Sequence, residues 1–311
     1  MSKLIMLCGL SGSGKSSAAK KLSEEYNAII IASDAIRKEL YGSEEIQDDP
    51  QKVFNLMHKR IKEHLIAGTN VIYDATNLIS KRRKATINEF KRISDIECFC
   101  VIVTATLEEC IKRNNLRDRK VPEYVIERQL KSFEFPMMWE GWTSKPFIYQ
   151  NTNSKSDWLK LADKKLEGLS QKGKYHLEDA DVHTKIATEH ALKYSDADII
   201  EAVRYHDIGK AYTRTEDEEG NSHFYGHEHV SAYIYATTLP QGVISDNNYN
   251  IVSLIQYHDI SWKKNSVEEN FSEKFRKDLE IMHECDMKGT LQPENLKNIS
   301  LMDFIDFFPD Y

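Results

Sequence analysis

The chain reads as an α/β domain, a parallel sheet with helices on both faces, followed by an all-α domain. Three observations carry this reading. Short β-branched runs alternate with helical spacing up to about residue 150, and the β-pattern then fades. A glycine-rich loop, GLSGSGKS at residues 9–16, separates the first apolar run from the first helix. Of the 11 histidines, only His58 and His64 precede residue 150; the rest lie among helical patterns.

The elements follow in order. KLIMLC (3–8) is a short apolar strand, and the glycine-rich turn and a helix come after it. AIIIA (28–32) is a β-branched strand. Val53, Phe54, Met57, Ile61 and Leu65 recur at helical spacing across 51–67, and Gly68 stands where a helix stop belongs. The strand NVIYDAT, a helix from about Ser80, the strand ECFCVIVTA and a helix opening at Thr106 complete the alternation. Thr106 with Glu109 has the spacing of a capping box. Strands recurring between helices imply parallel pairing. After PFIYQ (146–150), NTNSKS is a polar joint and DWLKLADKKLEGL a connecting helix; from about 173 the pattern is helical. This divides the chain into 1–152, a linker helix at 153–172, and 173–311.

With 311 residues and 41% hydrophobic content, each half can bury its own core. No apolar run reaches the ~18 residues of a membrane span. The five cysteines are odd in number and form no CxxC pair, which argues against a disulfide framework and suits a reducing cytoplasm; Cys98 and Cys100 read as core filler. The net charge of −7 is uneven: 24 Lys+Arg against 20 Asp+Glu through residue 150, then 18 against 29. Neither half has the strongly basic balance of a long-tract nucleic-acid binder.

GLSGSGKS fits G-x-x-x-x-G-K-[ST] in the required strand–loop–helix setting. Glycines let the backbone close around phosphate oxygens, and the helix N-terminus attracts the anion. Gly9, Ser11, Gly12, Ser13, Gly14, Lys15, Ser16 and Ser17 form the expected nucleotide set, with Lys15 on the β- and γ-phosphates and Ser16 on Mg²⁺. Asp34 and Arg37 follow the second strand, at the sheet edge where open α/β sheets bind ligands. A carboxylate there can take a proton from an attacking hydroxyl, and an arginine can hold an acceptor phosphate; Asp34 as a plain helix cap is the bland alternative. Asp74 ends the next strand and faces the same cleft. Arg113, Arg117 and Arg119 suit a cover over a nucleoside triphosphate. The basic run 81–84 reads as a solvated helix start.

In the second half, His206-Asp207 ends an apolar helix in EAVRYHDIGK, His183 precedes it by one helix–turn–helix, and Asp286 lies far downstream. Imidazoles and carboxylates together suit a divalent ion with positions open for water. His58, His64, His190, His223, His229 and His283 carry no partner signal, and 216–219 reads as a solvated acidic loop.

The motifs GLSGSGKS, SDAIRKEL, YDATNLISKRR and KRNNLRDRKVPEYVIERQ, in this order, resemble the P-loop 5′-hydroxyl polynucleotide kinase domain of phage and bacterial end-healing enzymes, over roughly 1–150. The resemblance implies Asp34 as general base, Arg37 on the acceptor phosphate, Asp74 supporting the acceptor site, and Arg117, or Arg119 in its place, as lid arginine. The second half lacks the DxDGT motif that follows the kinase in the best-known phage member. It resembles instead the HD phosphohydrolase superfamily, over roughly 173–290. That implies His183, His206, Asp207 and Asp286 as metal ligands, His227 and His258 at a second metal or the substrate phosphate, and Lys210 near that phosphate.

Together these imply a bifunctional RNA end-healing enzyme. ATP or another NTP with Mg²⁺ serves the kinase site, and one or two divalent ions, Mg²⁺, Mn²⁺ or another transition metal, serve the HD site. The resemblance implies RNA (or DNA) ends, such as those of broken tRNA, and an RNA ligase as its partners, with no membrane. A nucleoside or metabolite kinase fused to a nucleotidase is the second reading; a nucleotide sensor with a non-catalytic docking module is the third.

Overall fold

The computed structural model describes residues 1–44, 46, 48–92, 95–150, 157–172, 178–260 and 268–290. The polar joint expected at 151–156 and the expected opening of the helical half at 173–177 lie outside the described residues.

The N-terminal half runs β1 (Ser2–Cys8), α1 (Lys15–Tyr26), β2 (Ala28–Ala32), α2 (Ser33–Tyr41), α3 (Pro50–Ile66), β3 (Asn70–Asp74), α4 (Ser80–Lys91), β4 (Ile96–Thr104), α5 (Leu107–Asn115), α6 (Glu123–Lys131) and β5 (Phe147–Gln150). The apolar spacing of α3 buries Val53, Met57, Ile61 and Leu65, and Gly68 follows in the left-handed conformation. Thr106 accepts from the Glu109 amide as half of the expected box, while the Glu109 carboxylate takes Arg113. The sheet order is β2-β3-β1-β4-β5 with parallel pairing throughout. β1 lies inside the sheet and is covered on both faces, which is why its sequence is continuously apolar from Leu4 to Cys8. Cys98 and Cys100 are buried in β4.

The rest comprises α7 (Trp158–Leu166), α8 (Ala180–Ala191), α9 (Ala197–Tyr205), α10 (Lys210–Thr213), β6 (Thr215–Glu216), β7 (Ser222–His223), α11 (His227–Thr238), β8 (Gly242–Val243), α12 (Asp246–Tyr257) and α13 (Glu273–Gly289). The expectation of an all-helical second half needs correction. β6 and β7 form a hairpin, and β8 joins the N-terminal sheet as an antiparallel edge beside β5. Two apolar residues, Phe147 and Ile148, set that register opposite Val243 and Gly242.

The halves share one core. Tyr233 of α11 donates its hydroxyl to the Ala105 carbonyl at 3.2 Å, just past the end of β4. Its ring meets Phe133 edge-on at 4.8 Å. The Met138 amide donates to the Tyr249 hydroxyl at 2.7 Å, and Gln256 brackets both backbone groups of Phe135.

The basic run 81–84 also needs correction. Lys81 and Arg82 are exposed, but Arg83 is fully buried. It donates to both Glu140 oxygens at 2.7 and 2.6 Å, and to the carbonyls of Asn77 and Leu78. Asn77 in turn donates to the Leu7 carbonyl, and the Gly9 amide donates to Thr76. A buried bidentate pair thus pins the loop after β3 against the start of the glycine-rich loop. Helical periodicity gave no sign of this, because the partner lies 57 residues away.

Glu140→Ala leaves a guanidinium buried without its counter-charge and is expected to cost about 3–5 kcal/mol in urea unfolding. The double variant Arg83→Met/Glu140→Leu recovers most of the loss. A cost for Glu140→Ala below about 1 kcal/mol would rule out this structural role.

Candidate active sites

The first site lies where the C-terminal ends of β1, β2 and β3 meet. Gly12 has φ +85°, and a Cβ there would sit 2.1 Å from the Cys110 carbonyl, so α5 presses directly on the loop. Arg113 reinforces the contact, donating to the Ser13 carbonyl at 3.1 Å. Lys15 is buried and donates to the Leu10 carbonyl at 2.8 Å. The Ser13 hydroxyl is buried with no hydrogen-bond partner among the described residues. Ser16 donates to Asp74 Oδ2 at 3.1 Å.

Burial lowers the Lys15 ammonium below its ordinary value although Asp74 opposes it. Burial raises the Asp74 carboxyl although Lys15 and Ser16 oppose it. Each group therefore gains from an added charge of opposite sign. A triphosphate supplies the anion for Lys15, and Mg²⁺ supplies the cation for the Ser16–Asp74 pair. The donors present fit a nucleotide with Mg²⁺.

Asp34 sits in the first turn of α2, half exposed at the mouth of the cleft. Its Oδ1 accepts from Arg37 at 2.8 Å and pairs with Arg119 at 2.8 Å. Arg117 is exposed, and its charge acts on Lys15 and Asp74. The structure thus separates the two lid candidates, Arg119 on Asp34 and Arg117 toward the phosphate loop. Sequence reading missed Gln129 of α6, whose Oε1 accepts from the Ser11 amide at 2.8 Å. No local signal marks it, since the contact spans 118 residues.

The second site lies among α8, α9, α11, α12 and α13. It brings together the six metal candidates of the second half. His183 Nε2 is 2.8 Å from Asp286 Oδ1, and His206 Nε2 is 3.3 Å from both Asp286 Oδ1 and Asp207 Oδ2. His227 Nε2 lies 3.2 Å from Asp207 Oδ1 and 3.1 Å from His258 Nε2. Asp207 is common to two triads with ligand-like spacing, His183–His206–Asp207 and Asp207–His227–His258. Lys210 Nζ lies 2.7 Å from Asp207 Oδ2 and donates to Gln171, a residue the sequence did not flag.

Backbone carbonyls decide which ring nitrogens face inward. His206, His227 and His258 each turn Nδ1 toward the carbonyl three residues earlier, at 2.6, 3.0 and 2.7 Å. A carbonyl only accepts, so each Nδ1 carries the proton and each neutral ring offers a lone pair at Nε2. Two such lone pairs, with an Asp207 oxygen, converge within about 4 Å. Groups of that kind repel unless they share a cation, so the donor set fits a divalent ion.

Within the cluster the charges also act on one another. Burial alone would lower His206, but Asp207 and Asp286 overcome it and push the imidazole up to about 10. His183 is raised in the same way, against its burial, by Asp286 and Glu178. Burial and the charges of His206 and His227 push His258 down to about 3. Asp207 and Asp286 stay well below the carboxylate range: burial opposes this, but the histidines, and Lys210 beside Asp207, outweigh it. A cation at this cluster and the proton on His206 compete for one lone pair.

Residues 4–136 match the AAA domain family. The chain is 30% identical over 169 residues to an L-seryl-tRNA(Sec) kinase of Methanococcus maripaludis, covering 53% of this chain and 65% of that protein. It is 29% identical over 182 residues to a probable thymidylate kinase of Methanococcus vannielii, covering 50% and 90%. Among solved structures, a chain of the Pnkp1/Rnl/Hen1 RNA repair complex aligns with 23% identity and a TM-score of 0.39, over 49% of this chain and 53% of that one. A gluconokinase from Sinorhizobium meliloti aligns with 20% identity and a TM-score of 0.34, over 49% and 84%. The chain thus spans less than two thirds of the seryl-tRNA kinase's length and about half that of the repair-complex chain. No helix among the described residues is long and apolar enough to cross a membrane. The N-terminal half is a P-loop kinase-like α/β domain, and a helical region follows it.

Proposed function

We propose that this chain heals nucleic-acid ends, phosphorylating 5′-hydroxyls in its N-terminal half and removing 2′/3′-phosphate in its helical half, with RNA as the substrate. One observation carries the reading. A single chain holds a phosphate loop faced by Asp34, Arg37 and Arg119, and also a cluster of four buried histidines and buried Asp207, joined by the part-buried Asp286, with Lys210 at its edge. The first suits donating a phosphoryl group and the second suits removing one.

In the kinase half, the 5′-hydroxyl oxygen attacks the γ-phosphorus, the bond to the β-phosphate oxygen breaks, and Asp34 receives the hydroxyl proton. Arg37 and Arg119 hold the Asp34 carboxylate in place, and the free N–H groups of Arg37 are available to the acceptor phosphate. Arg117 takes the donor side, where its charge already acts on Lys15. The resemblance assigned Asp74 to the acceptor; its bond to Ser16 favours a part in holding Mg²⁺ instead. The similarity to an L-seryl-tRNA(Sec) kinase supports an acceptor carried on RNA.

In the helical half, His183, His206, Asp207 and Asp286 would hold one divalent ion, and Asp207, His227 and His258 a second. Such ions neutralise phosphate charge and acidify water near neutral pH. Lys210 holds a phosphate oxygen at the edge of the cluster, and Glu178 orients His183 from behind.

A second reading, a small-molecule kinase joined to a nucleotidase, is favoured by the similarity along most of a probable thymidylate kinase. It predicts that mononucleosides compete well with oligonucleotides for the γ-phosphate.

The decisive experiment is product analysis on an oligoribonucleotide with 5′-hydroxyl and 2′,3′-cyclic phosphate ends, with ATP and Mg²⁺ or Mn²⁺. Lys15→Ala and Asp34→Ala should remove 5′-phosphorylation at least 100-fold and spare 3′-end dephosphorylation, and Asp207→Ala should do the reverse. If one folded variant silences both activities, the two-site reading fails. Arg117→Ala should lower kcat with ATP, whereas Arg119→Ala, which removes one of the two arginines on Asp34, should raise KM for the 5′-hydroxyl acceptor; equal behaviour of the two would merge their roles. Adding Mn²⁺ at about 100 times its Kd should stabilise the protein by about 2.7 kcal/mol in thermal melts, and Asp207→Ala should remove the shift.

A further inference from the structure

We propose that the hairpin β6–β7 gives the second site a nucleobase platform, on which Tyr225 stacks the base of the nucleotide bearing the terminal phosphate. This rests on the hydrolase reading above and adds the substrate class to it.

The cavity beside the histidine–aspartate cluster has a volume of about 590 Å³, within the range of small-molecule sites. It is lined by buried Asp207 and Lys210 and by the segment His223–Phe224–Tyr225. From the inside outward the surface changes character in order. First come the carboxylates and imidazoles, then the Lys210 ammonium, which lies 5.5 Å from the centre of the Phe224 ring. Last comes Tyr225, 76% exposed. A nucleotide has the same order: phosphate, sugar, flat aromatic base. Tyr225 precedes His227 by two residues, so at most ~7 Å of backbone separates the platform from a metal candidate.

An exposed tyrosine alone would mean little, but this ring is held. It lies parallel to the His223 imidazole, with an interplanar angle of 5° and centroids 5.4 Å apart. Its hydroxyl is 3.5 Å from His223 Nδ1. His223 Nε2 is fixed by Asp217 at 3.0 Å, and Asp217 also accepts from the amides of Asn221 and Glu219. Behind the ring, Gly226 has φ +80°, and a Cβ there would meet the Lys131 carbonyl at 2.8 Å, which seats the hairpin against the end of α6. The tyrosine therefore gives up little freedom when a base lands on its open face, and stacking needs no particular base. The acidic turn 216–219, read from sequence as plain solvated loop, contains the residue that orders this wall.

The test uses the full chain with a Lys15→Ala change, so that the phosphate loop does not take up nucleotide. Calorimetric titration with Mn²⁺ present compares adenosine 3′-monophosphate with the abasic ribose 3-phosphate. Stacking predicts ~5- to 150-fold tighter binding of the nucleotide. Tyr225→Ala abolishes that preference and Tyr225→Trp keeps it. Equal binding of the two compounds to the parent protein, or a preference that survives Tyr225→Ala in folded protein, overturns the platform. Phosphate release measured on the same samples separates the two claims. Release without discrimination overturns the platform and leaves the hydrolase; discrimination without release keeps the platform and removes the hydrolase; absence of both removes both.

Discussion

Helix α11 has almost no solvent face. From Val230 to Thr237 every residue is buried, and its first residue, His227, is buried as well. A helix buried on nearly every side must be enclosed by its neighbours. Here α12, α10, α7 and α6 enclose it, the last of these from the kinase-like half. Tyr233 carries the constraint across the seam, since its hydroxyl satisfies the Ala105 backbone where β4 passes into α5, the helix that presses on Gly12. Both candidate sites are therefore built against one core. The N-terminus of α11 sets His227, and its middle sets the strand end beside the phosphate loop.

The two sites resolve the same electrostatic difficulty in opposite ways. Around Lys15 and Asp74 the charges are few and buried, so both groups are pushed toward neutrality until a charged ligand compensates them. Around Asp207 the charges are many, so burial loses to attraction from the histidines and Lys210 and the carboxylates stay ionised. The first arrangement suits a site that a large anion with its metal ion visits and leaves. The second suits a site that keeps a resident cation.

Arg83, Gln129 and His223 mark the limit of reading along the chain. Arg83 lies in a run of four basic residues, a pattern that ordinarily means a solvated helix start, and only Glu140, 57 residues away, turns it into a buried anchor. Gln129 has no motif; its role comes from the fold laying α6 over Ser11. His223 carries no partner signal along the chain, and its partner Asp217 lies in a stretch that reads as a solvated loop. In each case the meaning of the side chain is a long-range or turn-specific contact that no periodicity encodes.

What the sequence determined by itself was local and chemical. Most strand and helix positions in the first half and the phosphate loop follow from spacing, glycine and residue type, because backbone geometry acts over a few residues; the full ligand set came from the resemblance. What only the tertiary structure decided was allocation. It set Arg119 rather than Arg117 on Asp34, paired Asp74 with Ser16, and drew β8 from the helical half into the N-terminal sheet. It also made Asp207 the carboxylate common to two histidine pairs. Those outcomes depend on distances between segments far apart in the chain, and packing fixes such distances only once the whole core has closed.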